Sequence, residues 1–511
     1  MKTKRCTLRL PASVDPRRIW ERAAGSHTCE PMDDRVGVQT FFDTFDWRLF
    51  NKNLVLLHDQ DRYLLYRLPD RETVASVSVP CGTEPVYSTD FPEGSLKEAL
   101  QAHVSVRALL PLARATTRRQ TVRVLNRNEK TVVIAKLEQA RVADTPRNGQ
   151  PINTVSLRPV RGYEKHSRRL DRSLRDAGAE PGTEDLYHAA MRATGRNPGD
   201  YTSKLVIVLE PNLNGAEAAR RILGHLFRKI RRNEAGIKED VDTEFLHDFR
   251  VGVRRTRSAL SQIKSVLPEV PLGRFRKDFS YLGKLTNRLR DLDVTLLKED
   301  AYRSLLPGYL RPRLDPLFES LRAERTGEHR RLAAALDGDR YQKIAADWTA
   351  FLEGPPDADS PDNAEAPAIA LAQRFIGKRY GRVIELGAGI ETSTPDAELH
   401  RLRIECKKLR YLLEFFTSLF PSGEIRLIVE HLKNLQDNLG DFNDLSVQQE
   451  DLKSYLEVSS PARTHPETFA AIGGLIGCLY REQQNVRAAF SKTFTEFNRA
   501  EIAATFRRLF A

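Results

Sequence analysis

Two quartets of basic residues in this chain share one spacing. His247, Arg250, Arg254 and Arg257 lie at intervals of three, four and three, and His400, Arg403, Lys407 and Arg410 repeat the pattern. On an α-helix, at about 100° per residue, such positions fall in one stripe roughly 80° wide. Like charges stacked on successive turns repel and destabilise a helix unless an anion lies against them. A chain that does this twice is expected to build two halves of one polyanion site. Arg255, Lys264, Lys284, Arg288, Lys408 and Lys433 are candidate outer contacts. The two histidines are open to a second role, donating to a backbone or carboxylate group while the arginines bind.

The elements that carry the stripes repeat with them. Leu260 continues the first stripe and Leu413 the second; then Leu282, Leu285 and Leu289 precede Arg290-Asp291-Leu292-Asp293, and Leu432, Leu435 and Leu439 precede Gly440-Asp441-Phe442-Asn443. The offset is 153 residues for the first helix and 150 for the second. This is an internal duplication with a period far beyond that of a solenoid. Asp291, Asp293 and Asp441 are read as helix-terminating residues that pair with the basic groups, not as a metal site.

Composition agrees with an anionic partner. The 511 residues carry a net charge of +12 and a pI near 9.4, which favours nucleic acid, membrane surface or phosphates. The five cysteines (Cys6, Cys29, Cys81, Cys406 and Cys478) are scattered, with no C-x-x-C. A reduced compartment and no structural zinc follow. No metal or cofactor is called for. The N-terminal residues lack the apolar core of a secretory signal, and no run of 18 apolar residues exists to span a membrane. A cytoplasmic location is expected.

Two regions alternate in character. Residues 1 to about 200 hold short β-type segments at Cys6–Leu10, Val36–Phe42, Asn53–His58, Tyr63–Leu68, Val74–Val79, Gln120–Leu125, Thr131–Leu137 and Ile152–Leu157. Turn formers such as Pro69-Asp70 and Arg147-Asn148-Gly149 separate them. Helical patterns are few: Pro16–Ala24, Leu96–His103 and Tyr163–Ala177. A barrel or strongly curved antiparallel sheet is expected. The stretch from Arg196 to Asp200 is a linker, and helical periodicity runs from Asn214 onward, broken by an acidic, Pro-rich segment over 354–367. The fold class is therefore α+β: a β domain over 1–200, then an all-α domain over 205–511 with halves at about 214–353 and 367–511.

Leu246-His247-Asp248-Phe249-Arg250-Val251 with Arg254-Arg255-x-Arg257, followed by Leu289-Arg290-Asp291-Leu292-Asp293-Val294, resembles the CHAD family, the conserved histidine α-helical domain. Leu399-His400-Arg401-Leu402-Arg403 with Lys407-Lys408-Leu409-Arg410-Tyr411, then Leu435-Gln436-Asp437-x-Leu439-Gly440, agrees in the second copy. The resemblance implies two four-helix bundles about a pseudo-twofold axis, a basic groove between them, inorganic polyphosphate as partner and a place at polyphosphate granules. Arg suits such a ligand because its planar fork grips phosphate oxygens bidentately. A flexible polymer demands charge density and no sequence readout. No aromatic residues for base stacking interleave with the stripes, which weighs against single-stranded nucleic acid.

The run Phe41-Phe42-Asp43-Thr44-Phe45-Asp46-Trp47-Arg48-Leu49 resembles the early-strand signature of CYTH proteins, the triphosphate-tunnel family, with Arg118-Arg119 and Ile134-Ala135-Lys136-Leu137-Glu138 where later strands would fall. The catalytic part does not carry over. The family's Glu-x-Glu-x-Lys is missing from the first strand, Ile152–Arg158 holds no carboxylate, and Val55-Leu56-Leu57-His58 stands where an arginine is expected. Carboxylates are what hold Mg²⁺ or Mn²⁺ against phosphates in a metal-assisted phosphohydrolase. The resemblance therefore implies a non-catalytic barrel, retained for packing or as a secondary anion surface through Arg67, Arg118, Arg119 and Lys136, each of which is read first as solvent-exposed and only second as functional. A metal-dependent triphosphatase or polyphosphate hydrolase, and a nucleic-acid binder supported by charge alone, are the alternatives.

Overall fold

A computed structural model describes residues 6–13, 15–25, 27–69, 71–79, 84–143, 150–181, 185–355, 361–391, 393–458 and 465–510. Asp70, Cys81, the Arg147-Asn148-Gly149 turn and residues 356–360 of the acidic segment lie outside them. The chain divides into two compact units, Met1–Ser203 and Lys204–Ala511.

In the first unit the elements are β1 (Cys6–Leu10), α1 (Pro16–Ala24), β2 (Thr28–Asp43), β3 (Leu54–Asp59), β4 (Arg62–Arg67), β5 (Glu72–Ser78), α2 (Ser95–Val104), β6 (Leu110–Leu125), β7 (Thr131–Val142), β8 (Ile152–Pro159), α3 (Glu164–Asp176), β9 (Glu180–Pro181) and α4 (Leu186–Ala193). The strands form one antiparallel sheet in the order β5-β4-β3-β2-β6-β7-β8-β1-β9, compatible with a tunnel-like fold. Asp15 caps α1 by accepting from the Arg17 N–H at 2.9 Å, and Pro16 follows at the first helical position, where its missing N–H costs nothing. That helix buries Ile19 and Trp20 beside Leu170 and Leu174 of α3 and the sheet residues Leu8, Val133 and Leu157.

Strands β2 and β6 extend well beyond their apolar-alternating parts. Thr28–Arg35 contains Pro31 at a register shift, as expected of a proline in a ladder. The polar stretch pairs through charge: Asp34 accepts from Arg118 at 2.9 and 3.1 Å, and Glu30 from Arg123 at 2.6 Å. The Phe41–Leu49 motif folds into a buried knot. The Asp43 carboxylate accepts the backbone N–H of Thr44, Leu49 and Phe50 at 2.7, 2.9 and 2.8 Å, and burial pushes its carboxyl up to about 6.

The second unit is helical: α5 (Gly215–Lys238), α6 (Thr243–Gln262), α7 (Glu269–Leu285), α8 (Asn287–Leu297), α9 (Glu299–Ser304), α10 (Asp315–Asp337), α11 (Asp339–Glu353), α12 (Ala368–Ala388), α13 (Asp396–Phe416), α14 (Ser422–Val458), α15 (Pro466–Ala488), α16 (Phe490–Phe497) and α17 (Ala500–Phe510). The entries to α5 and α12 bridge at Asn214 and Pro367. The Gly215 N–H donates to Ala366 and the Ala368 N–H to Leu213, at 2.9 and 3.0 Å. Helices α5 and α6 pack closely because Gly252 meets Ile230 and Gly236 meets Phe245; a Cβ would stand 2.7 and 2.3 Å from those side chains. Leu292, Phe318 and Leu321 from the first half share a core with Leu452, Ile472 and Leu475 from the second.

The duplicated helix pattern does not end alike in the two copies. Thr286 separates α7 from α8, whereas α14 runs unbroken through Gly440 and Asp441. Asp291, Asp293 and Asp441 thus lie inside helices and terminate none. The nearly fully buried Asp293 pairs with Arg325 at 2.9 Å.

Candidate functional site

Helix α6 starts where Asp242 accepts the N–H groups of Glu244 and Phe245 at 2.9 and 3.3 Å, satisfying donors that the first turn leaves free. Phe245, Phe249, Gly252, Val253, Thr256 and Leu260 then fill the core. The geometry of the helix turns His247, Arg250, Arg254 and Arg257 to the opposite face. Leu399, Leu402, Cys406, Leu409 and Leu413 do the same for α13.

The two stripes converge where α6 meets α13. Arg255 pairs with Glu414 at 2.7 Å, and the Gln262 amide donates to the Lys408 carbonyl at 3.1 Å. Across this seam the Arg254 charge acts on both Arg403 and Lys407. Burial, with Arg254 adding to it, holds Arg403 below the ordinary arginine range against the pull of Asp444. Burial also lowers Lys407 to about 7, helped by Arg254, Arg403 and Arg410. Arg250 falls to about 10, again chiefly by burial, and stays charged at neutral pH.

The members of each stripe are not equivalent. Arg254 and Arg257 are exposed and, among the described residues, donate no hydrogen bond and make no ion pair. Arg257 lies over Gly283, where a Cβ would stand 3.0 Å from its Nη1. Arg250 is a tether: its Nη1 donates to the Gly283 carbonyl, Thr286 Oγ1 and Asn287 Oδ1 at 3.3, 3.0 and 2.8 Å. Arg403 reaches Asp444 at 3.4 Å. Arg410 donates to Glu414 at 2.8 Å and to Gln436 at 3.2 Å, so Glu414 is one carboxylate between Arg255 of the first copy and Arg410 of the second. His400 Nδ1 sits 2.7 Å from Asn443 Oδ1, and His247 is half-buried on the first stripe.

The outer candidates divide. Lys408 turns to Glu405 at 2.8 Å, and Arg288 forks onto Glu324 at 2.5 and 2.6 Å; both charges are already matched away from the stripes. Lys433 stands 3.9 Å from Asp437. Lys264 and Lys284 are exposed. In the first unit Arg118 and Arg119 are held by Asp34 and Asp59. Arg119 and Lys136 line a cavity of about 140 Å³ with Asp33 and Glu138, and Arg67 is exposed. The charge lining this cavity is mixed.

Some basic residues of the helical unit were not singled out from sequence. Arg290 is half-buried, donates to the Thr243 carbonyl at 3.3 Å and is acted on by Arg254. Helices α5 and α12 carry a further matched row at the same offset of 153: Arg221 and Arg374, His225 and Lys378, Lys229 and Arg382, around Gly224 and Gly377. Extending the offset upstream would have found it. In the first copy Lys229 is lowered to about 8 by burial and then by Arg255.

The fold and the site together define a class: a duplicated helical unit with unneutralised cations gathered where its copies meet. Residues 221–453 match the model of the CHAD domain, and the helical unit carries that domain. The crystal structure of the CHAD domain from the plant Ricinus communis is similar, with a TM-score of 0.50 and 26% identity over 58% of this chain and 96% of that one. PptA from Streptomyces chartreusis gives a TM-score of 0.44 and 19% identity over 55% of this chain and 99% of its own. No curated protein matches the chain. Among the described residues no helix is long and apolar enough to cross a membrane.

Proposed function

We propose that the helical unit binds inorganic polyphosphate along a groove where α6 and α13 meet. The observation that carries this reading is that Arg254, Arg257 and Lys407, from both copies, make no ion pair among the described residues while crowding other cations. Such a cluster is unfavourable by itself and becomes favourable when an anionic polymer lies on it. The match of residues 221–453 to the CHAD domain supports the choice of polymer and a place at polyphosphate granules, which a fluorescent fusion imaged with a polyphosphate stain tests. The decisive measurement is a titration with long-chain polyphosphate, competed by double-stranded DNA, RNA and tripolyphosphate at matched salt. Polyphosphate is expected to win; dominance of nucleic acid overturns the reading.

Glu414 gives a second test. It sits between Arg255 and Arg410 and is largely buried, so Glu414→Gln frees two cations at the seam. The expected result is polyphosphate affinity raised a few-fold, with a steeper salt dependence. Losing charge-assisted hydrogen bonds lowers stability by about 2 kcal/mol. Unchanged affinity would place the ligand elsewhere.

The first unit is read as non-catalytic. Neither β1 nor β8 carries a carboxylate, and Asp43 is occupied with backbone donors. Tripolyphosphate with Mg²⁺ or Mn²⁺ is expected to release no phosphate above background, and turnover would reverse this reading.

A further inference from the structure

The matched stripes differ at one functional step. His247 pairs with His400, Arg250 with Arg403 and Arg257 with Arg410, but Arg254 is answered by Lys407. Arginine stays protonated under nearly all conditions, whereas a lysine in an unfavourable setting gives up its proton. Position 407 is such a setting. The side chain is half-buried on α13 and, among the described residues, donates no hydrogen bond and makes no ion pair.

The charged groups facing it come from each neighbouring element. Arg403 and Arg410 lie one turn before and about one turn after it on α13. Arg254 faces it from α6, and Asp444 on α14 is the carboxylate that opposes them. On α12, which also packs against α13, Arg379 and Arg382 are turned to Glu405 and Glu385. Three cations against one carboxylate disfavour a fourth positive charge, and burial adds to this.

We propose that Lys407 is the proton-linked contact of this site: polyphosphate binding draws a proton onto its amine, so the site holds its ligand more tightly as pH falls through neutrality. The inference rests on the polyphosphate reading given above. A polyanion laid over Arg254, Arg403 and Arg410 cancels the repulsion that strips the amine, and the amine then takes up H⁺ from solvent to become an ammonium donor to phosphate oxygens. The burial-driven fall of the free amine to about 7 supports this account. The sign follows from linkage. Bound protein holds more protons than free protein between the two titration points, so affinity declines as pH rises.

The test is calorimetric titration of the full chain with long-chain inorganic polyphosphate at pH 8, in buffers of different ionisation enthalpy such as Tris and HEPES. Long chains keep the titrating terminal phosphates a small fraction. The expected result is uptake of a large part of one proton per site, and an affinity that drops roughly tenfold between pH 7 and pH 8.5. Lys407→Arg is expected to bind with almost no uptake and a flat pH profile, and Lys408→Arg, on the Glu405 side, to keep the wild-type uptake. Binding without proton uptake, or equal uptake in wild type and Lys407→Arg, overturns this inference and leaves the polyphosphate reading standing. Absence of binding at every pH overturns that reading and this inference with it.

Discussion

Reversing Arg254 and Lys407 together to glutamate is expected to cut affinity for long-chain polyphosphate by about a hundredfold or more. Each contributes a charge-assisted contact worth about 1.5–3 kcal/mol, and the introduced carboxylates also repel the ligand. The slope of log affinity against log salt should fall by about two, since roughly one counterion fewer is released per lost contact. The helical content should stay as it is. Arg254 is exposed and joins no ion pair among the described residues, and a carboxylate at 407 would still sit beside Arg403 and Arg410. Either substitution alone should remove part of the affinity, because contacts linked through one polymer act at high effective concentration. Full affinity and full slope in the double variant would defeat the two-copy site. The same experiment with Arg250 in the set would be misread. From the stripe alone, reversing Arg250, Arg254 and Arg257 leaves the helix intact. The tether from Arg250 to Gly283, Thr286 and Asn287 adds a folding defect to the binding defect.

That contrast shows where the sequence was legible. The spacing of the stripes identified both helices and the face that must stay out of the core, because core residues and helix period leave only one placement for the charges. It could not separate tether from contact. Arg250 and Arg254 lie on one stripe, and their different roles arise from what α7 and α8 bring to the first and not to the second. Lys408 was equally opaque: its neighbour Glu405 lies three residues away, and Arg379 approaches that carboxylate from α12. The aspartates after Leu289 and Leu439 were misplaced as helix ends because a short polar run resembles a terminus. Packing on both sides carries α14 straight through it, a tertiary override of local preference.

In the first unit alternation located the apolar halves of the strands. The outer reach of β2, Thr28–Arg35, was hidden because charge, not hydrophobicity, joins it to β6: Asp34 to Arg118 and Glu30 to Arg123. The short α4 carries Leu186, Tyr187 and Met191 into the core beside Phe41 and Trp47, yet is only two turns long, too short for a periodic signal.

The knot around Phe41–Leu49 carries the largest stability prediction. Asp46 is 5% exposed and Arg107 fully buried. The Asp46 carboxylate accepts from Thr44 Oγ1 at 2.8 Å and Arg48 Nε at 3.0 Å, and lies 3.6 Å from Arg107 Nε. Removing one partner from a buried ionic network is costly because the remaining charge keeps its desolvation penalty. Asp46→Asn preserves shape, deletes the charge and replaces one of the two accepting oxygens with a donor, and should destabilise the first unit by about 3 kcal/mol. Breaking the Arg118–Asp34 pair with Arg118→Met should cost less than about 1 kcal/mol, since both side chains there are substantially solvent-exposed. Trp20 and Trp47 are buried in this unit, and the Trp47 indole N–H donates to Asp200 at 2.9 Å, so with Trp348 of the second unit changed to Phe, fluorescence follows the unfolding of the first. Asp46→Asn should move that transition down by roughly 1–2 M urea, while the helical signal of the second unit unfolds at its former midpoint. A midpoint no lower than that of Arg118→Met would mean that the motif's carboxylate does not carry this part of the fold.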